Sequence, residues 1–197
     1  MKIIVDAFGG DNAPLEVIKG CARAVKELDV NIILTGSEEK IRKCASENGI
    51  SLNGIDIAHT DNVFDIHEEP KEIVKSGKNS SMGLGLSLLA EGKGDAFVSA
   101  GSTGAVLVGG QLLVGRVKGV ERPPLAPLIP TEKGVSLLID CGANVDARAS
   151  HLVQFAKMGS VYMENVMGVK NPRVGIVNIG AEEEKGNALV KETYPLL

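Results

Sequence analysis

Four apolar runs in this chain end in the same way, and that repetition limits what it can fold into more than any other feature. "VDAFGGDNAP", "VSAGSTGAV", "IDCGANVDA" and "VNIGAEEEKGN" each pass from aliphatic residues into a loop of small or polar residues that leads into a helix-forming segment. Runs of Val, Ile and Leu without polar alternation suit strands covered on both faces, which is the condition of a parallel sheet. In such a sheet, strand-to-helix loops gather at the carboxyl edge, where ligands bind near the point at which strand order reverses. The expectation is one shared cleft built from four loops. Backbone N–H groups there, helped by helix N-termini, suit phosphate or a developing oxyanion.

The rest of the chain fits this frame. "KIIVDA", "VNIILTG", "GIDIAHT", "DAFVSA", "GVSLLIDCGAN" and "RVGIVNIGAEEEKGN" are expected as strands. The first helix follows Pro14, with Leu15, Ile18, Ala22, Val25 and Leu28 at helical spacing. The second is capped by Ser37 and ended by Gly49, and a third starts at Ser81 despite two glycines. "TGAVLVGGQLLVGRV" and "SHLVQFAKMGSVYMENVMG" are expected as two more helices, and "LVKETYPLL" as one that stops in mid-course, as in a chain cut short. "ERPPLAPLIPT", with four prolines in eight residues, is expected to be an extended connector and a hinge. At 197 residues, a single α/β domain with a mostly parallel sheet is the expected organisation, with two small lobes as the other option.

Composition narrows the function. Aromatic residues make up 3% of the chain and there is no Trp, which argues against stacking readout of nucleic acid. A net charge of −4 gives no general attraction to phosphate backbones or anionic lipid, so an anionic partner needs a local basic patch. Two exist: Arg116, Lys118 and Arg122 in one, and Lys71, Lys75 and Lys78 in the other. Cys21, Cys44 and Cys141 are odd in number and far apart, as expected of reduced thiols in the cytoplasm. "MKIIVDAFGG" is too short in aliphatics for a signal segment.

No nucleotide cofactor is signalled. Gly101-Ser102-Thr103-Gly104 matches neither the dinucleotide fingerprint nor the Walker A pattern. These glycines can serve tight strand-to-helix packing as well as a site. Asp6, Asp140 and Asp146 can be metal ligands or a base, but an Asp at a strand end more often caps loop amides. Lys185 lies in the charge run "EEEK" and reads as a solvated lysine unless its loop borders a cleft. His59, His67 and His151 are isolated, and no nucleophile elbow accompanies them.

Taken in order, "VDAFGGDNAP", "KNSSM", "VSAGSTGA", "GRVKGVERPPLAPLIPT", "DCGANVDA", "HLVQFAKMGSVY" and "PRVGIVNIGAEEEKGN" resemble a bacterial family, the acyl-acyl-carrier-protein:phosphate acyltransferases of phospholipid synthesis (PlsX). The resemblance spans the whole chain. It implies a three-layer α/β/α fold akin to phosphate acetyltransferases and isopropylmalate dehydrogenases, and a homodimer peripheral to the membrane. It also implies transfer of a long-chain acyl group from acyl carrier protein to inorganic phosphate, with no cofactor or metal.

By resemblance, Lys185 acts in the active site, which replaces its reading as a solvated lysine. The phosphate-proximal residues are Asp6, Gly9, Gly10, Asp11 and Asn12, then Asn79, Ser80 and Ser81, then Gly101, Ser102, Thr103 and Gly104, and finally Asn144, Asp146 and Asn187. Many members carry Asn where Ser102 stands here, and both are small and polar. Members also continue beyond Leu197 into a "GFTGN"-type loop. Arg116, Lys118 and Arg122 are expected to dock the acidic carrier. The acyl chain is expected among the apolar helices after Ser81 and Gly104. Two other readings stay open: a coenzyme A-dependent phosphate acetyl- or butyryltransferase, and a non-catalytic carrier-binding fragment.

Overall fold

A computed structural model describes residues 1–180, 182 and 184–197. They form two compact units, Met1–Arg116 and Val117–Leu197.

The first unit is built on a four-stranded parallel sheet. Strands β1 (Lys2–Asp6), β2 (Asn31–Gly36), β3 (Ile55–His59) and β4 (Ala96–Val98) lie in the order β3-β2-β1-β4. Helix α1 (Leu15–Leu28) carries the chain from β1 to β2, and α2 (Glu38–Glu47) carries it from β2 to β3. The chain then crosses to the other side of β1. It passes through two 3₁₀ turns, Pro70–Val74 and Ser76–Asn79, into α3 (Ser81–Ala90), and returns as β4. Strand order therefore reverses between β1 and β4, where Val5 pairs with Val98. That reversal is the place where an open α/β sheet holds its ligand.

The aliphatic runs form strands here because both faces are covered. Ile4, Leu34, Ile18 and Ile41 are fully buried, and Ile32 nearly so. Burying each such side chain is worth about 1.5–3 kcal/mol. Cys21 sits in this core, and burial pushes its thiol from an ordinary 9.0 to about 11, so at neutral pH it is a protonated, apolar filler. Ser37 occupies the position before α2, but its hydroxyl donates to Asp61 Oδ1 at 2.8 Å instead of capping the helix. Helix α4 (Thr103–Gly109) starts where expected, then widens at Gly109-Gly110 into a π turn, Gly110–Val114. Gly109 is needed for packing, since a Cβ there would collide with Leu86 Cδ1.

The second unit departs from the expected pattern. Leu128–Thr131 (β5) and Gly134–Leu137 (β6) form an antiparallel hairpin, so the end of the proline-rich stretch is a strand. Pro130 is tolerated because neither strand of a two-stranded sheet is central. "GVSLLIDCGAN" is therefore only in part a strand, and it is largely exposed. Arg173–Gly180 forms no strand, and Val177 and Ile179 are more than four-fifths exposed. An aliphatic run becomes a buried strand only where a neighbour supplies the hydrogen-bond ladder and a covering layer. No described residue gives this run that ladder. Helices α5 (Ala149–Asn165) and α6 (Ala188–Thr193) lie where periodicity placed them.

The two glycines inside α3 are explained by packing. A Cβ at Gly83 would collide with the backbone carbonyl oxygens of Gly77 and Lys78, whereas a Cβ at Gly20, on the exposed face of α1, meets nothing within 4 Å. Gly83→Ala is expected to lower stability by about 1–3 kcal/mol, and Gly20→Ala to raise it by about 0.5–1 kcal/mol. Urea denaturation of the two variants beside the wild type checks both signs.

Candidate functional site

Asp6 ends β1 with its side chain 2% exposed. Its Oδ1 accepts from the Phe8 N–H at 3.1 Å, and its Oδ2 accepts from Ser99 Oγ at 2.8 Å. Ser99 Oγ in turn accepts from the Gly101 N–H at 3.1 Å. A buried carboxylate thus ties the loop after β1 to the loop after β4, across the point where strand order reverses. Both of its oxygens are engaged, so Asp6 acts as the cap of loop amides anticipated for it. Ser99 is a member of this arrangement that the sequence reading missed. The available signal was a hydroxyl at the last position before "AGSTG".

Glycines let the two loops close on each other. A Cβ at Gly9 would stand 2.6 Å from Ser99 Oγ, 2.7 Å from Asp6 Oδ2 and 2.8 Å from the Gly101 nitrogen. Gly10 has φ +98°, and its missing Cβ faces Ala100. Gly101 lies against Gly9 and Met82, and Gly104 against the Pro70 ring. Ser102 Oγ accepts from the Ala105 N–H at 3.3 Å and caps α4. Asp11 and Asn12 are exposed in the loop before α1.

A third segment joins them through Met82. Ahead of α3, the Asn79 carbonyl accepts from Thr60 Oγ1 at 2.6 Å. Ser80 Oγ donates to the Gly77 carbonyl at 2.6 Å and accepts from the Gly83 N–H at 3.2 Å, which caps α3. The Ser81 N–H donates to the Asn62 carbonyl at 2.8 Å. Ser81 Oγ is buried and has no hydrogen-bond partner among the described residues. A buried hydroxyl left without a partner calls for an explanation, and a bound ligand is one. Gly9 and Gly10, Ser80 and Ser81, and Gly101 to Gly104 are thus gathered within the first unit.

In the second unit, Asp140 accepts from the N–H groups of Leu125 (2.6 Å), Ala143 (3.3 Å) and Asn144 (2.8 Å). It too is a cap. Asn144 Nδ2 donates to the Pro123 carbonyl at 3.1 Å, and Arg122 Nη1 reaches the Asp146 carbonyl at 3.4 Å. The proline-rich connector is therefore laced to the Asp140–Asp146 loop, where a free hinge was expected. Asn187 Oδ1 accepts from the Val190 N–H at 3.0 Å and caps α6. Asp140, Asn144 and Asn187 border one cavity of about 640 Å³, lined otherwise mainly by apolar side chains such as Leu137, Phe155 and Val190.

Lys185 is exposed, its N–H donating to the Glu182 carbonyl at 3.0 Å. Ala181 and Glu183 of the same loop lie outside the described residues. Arg116, Lys118 and Arg122 are exposed. Lys71 and Lys75 are paired with Glu69 and Glu72, as surface lysines commonly are. Among the described residues, no cluster of three or more His, Cys, Asp or Glu side chains is placed to hold a metal ion, and no helix is long and apolar enough to cross a membrane.

Comparison with known proteins places this geometry. The profile of the fatty acid synthesis protein family matches residues 1–197. The chain belongs to that family. Members similar to it include phosphate acyltransferases from Bacillus licheniformis (51% identity over 199 residues) and Clostridium botulinum (49% over 198), each aligned along 100% of this chain and 59% of the relative. The chain thus spans about three-fifths of the length of these family members. Among solved structures, a phosphotransacetylase from Streptococcus pyogenes superposes with a TM-score of 0.69 at 19% identity. It is covered over 65% of its length, against all of this chain. The EutD phosphotransacetylase from Staphylococcus aureus also gives 0.69, at 20% identity, with 63% of it covered. At that identity the likeness shows the fold, which for this family is three-layer α/β/α.

The arrangement predicts a sharp response to one methyl group. Gly9→Ala must break the Asp6–Ser99–Gly101 chain, since its Cβ would crowd all three. A loss of about 1–3 kcal/mol is expected, read from urea denaturation beside the wild type. Unchanged stability of Gly9→Ala would contradict the close approach of these two loops.

Proposed function

We propose that the protein, at the full length of its relatives, is a phosphate acyltransferase that moves a long-chain acyl group from acyl carrier protein to inorganic phosphate. The observation that carries this reading is the gathering of Gly9-Gly10, Ser80-Ser81 and Gly101 to Gly104 at the sheet's reversal point, with the buried Ser81 hydroxyl unpartnered among the described residues. Loop amides and small hydroxyls there suit a phosphate dianion. The family membership and the phosphate acyltransferase relatives support a fatty acyl group as the one transferred.

Phosphate needs no activation to attack. One oxygen of HPO₄²⁻ adds to the thioester carbonyl carbon, and the tetrahedral oxyanion collapses with loss of the carrier's thiolate. The phosphate proton passes to that sulfur, leaving acyl phosphate and the free thiol. The protein's contribution is position and charge stabilisation, so no covalent acyl-enzyme arises. Lys185 is assigned to stabilise negative charge in this step. Asn144, Asp146 and Asn187 contribute through the loops they cap and brace, and Arg116, Lys118 and Arg122 take the acidic carrier. The acyl chain is assigned to the apolar helices after Ser81 and Gly104. We further assign the working protein a cytoplasmic location, a homodimeric state and peripheral contact with the membrane, on the strength of the family resemblance.

The test is acyl phosphate formation, trapped as hydroxamate, from palmitoyl-carrier protein and phosphate in a chain extended to the relatives' length. Turnover with acetyl-coenzyme A instead of the carrier substrate would support the phosphotransacetylase reading that the fold also allows. Lys185→Ala should cut turnover by about a hundredfold or more, the usual loss for one oxyanion donor. Unchanged turnover would remove Lys185 from the mechanism. Rising salt should raise the KM for carrier, as should charge reversal at Lys118 or Arg122.

A further inference from the structure

His151 is 4% exposed and has no place in the reaction just described. It is the third residue of α5. Its Nδ1 accepts the Arg148 N–H at 3.2 Å, which leaves the ring hydrogen on Nε2. That nitrogen lies 3.0 Å from Glu121 Oε2. The ring also stacks on Phe155, with centroids 6.5 Å apart. Glu121 is held from a second side by Gln154, whose Oε1 accepts the Glu121 N–H at 2.9 Å and whose Nε2 donates to Glu121 Oε1 at 3.3 Å.

Glu121 begins a strap, Glu121–Leu125, that is poor in backbone donors because Pro123 and Pro124 have none. The strap is instead pinned along its other edge by the Asp140–Asp146 loop. Leu125 N–H donates to Asp140 Oδ1 at 2.6 Å, and Cys141 N–H donates to the Leu125 carbonyl at 2.8 Å. Asn144 holds the Pro123 carbonyl, and Arg122 reaches Asp146. Every residue between Glu121 and Leu125 except Pro124 thus has a polar tie. Glu121 joins the strap to α5, through His151 on one side and Gln154 on the other.

We infer that His151 is a positioning residue: by locking Glu121 onto α5 it fixes the strap that presents Arg122, and with it the Asn144 loop. This rests on the reading that Arg122 takes part in docking an acidic carrier protein. A fixed strap offers its guanidinium already placed, so docking loses less side-chain and loop entropy.

His151→Gln separates this role from helix capping. Gln is a residue that capping boxes use at the third helical position, so it keeps the acceptor for the Arg148 N–H. It cannot also present the ring's second nitrogen to Glu121. In the chain extended to the relatives' length, amide exchange at Leu125 and Cys141 should quicken about tenfold in this variant, while β1 and β2 keep their protection. The dissociation constant for carrier protein, by calorimetry, should rise about tenfold. Glu121→Ala, which removes the acceptor for His151 Nε2–H, should behave alike, and the double variant should add little. Unchanged exchange at Leu125 and Cys141 would overturn the inference, as would faster exchange with unaltered carrier affinity. Arg122→Glu tells the two readings apart. Weaker carrier binding in Arg122→Glu but not in His151→Gln sinks the role of His151 alone, whereas no effect of Arg122→Glu sinks the docking reading and the inference with it.

Discussion

The first unit depends on one buried carboxylate. Asp6 stands where the strand order reverses, and its two oxygens hold the Phe8 amide on one side and the Ser99 hydroxyl on the other. Hydrogen bonds to a charged group contribute about 1.5–3 kcal/mol each, and a buried donor left without its acceptor costs a comparable amount. The loops after β1 and β4 therefore hold their shape together or lose it together. Their glycines follow from the same fact, because a Cβ at Gly9 would occupy the space in which Asp6, Ser99 and Gly101 meet.

Holding the loops this way has a chemical consequence. Asp6 orders the Gly101 amide through Ser99. Of the groups at this edge, the Gly101 amide and the Ser80 and Ser81 amides are already engaged, which leaves the Ser81 hydroxyl without a partner among the described residues. On the proposed reading, this edge holds phosphate in a geometry fixed before the ligand arrives, which is what charge stabilisation in an acyl transfer requires.

Much of this was legible in the sequence, for reasons that also mark where legibility stops. Strands β1, β2 and β4 and the loops that follow β1 and β4 could be read because local signals and tertiary surroundings agree there: aliphatic runs, then small residues, then helical periodicity. Asp6 and Asp140 as loop caps follow from their place at the ends of apolar runs. Ser99 could not be singled out, because its role lies in a contact with Asp6, 93 residues away. Arg173–Gly180 reads as a buried strand but is none, since burial is decided by neighbours that the run itself does not specify. The proline-rich segment read as a hinge, yet its carbonyls and its flanking Glu121 are held by Asn144, Gln154 and His151, residues that lie far along the chain.

The central claim is that the loops joined by Asp6 and Ser99 form an anion site shaped for phosphate. Titrating inorganic phosphate into the ¹⁵N-labelled protein tests it most directly. Saturable shifts should appear at the amides of Gly9 to Asn12, Ser80 to Ser81 and Gly101 to Gly104, and should vanish in Ser99→Ala, while β2 and β3 stay unmoved. Shifts that map elsewhere, or none at phosphate concentrations that saturate phosphate-using enzymes, would contradict the account.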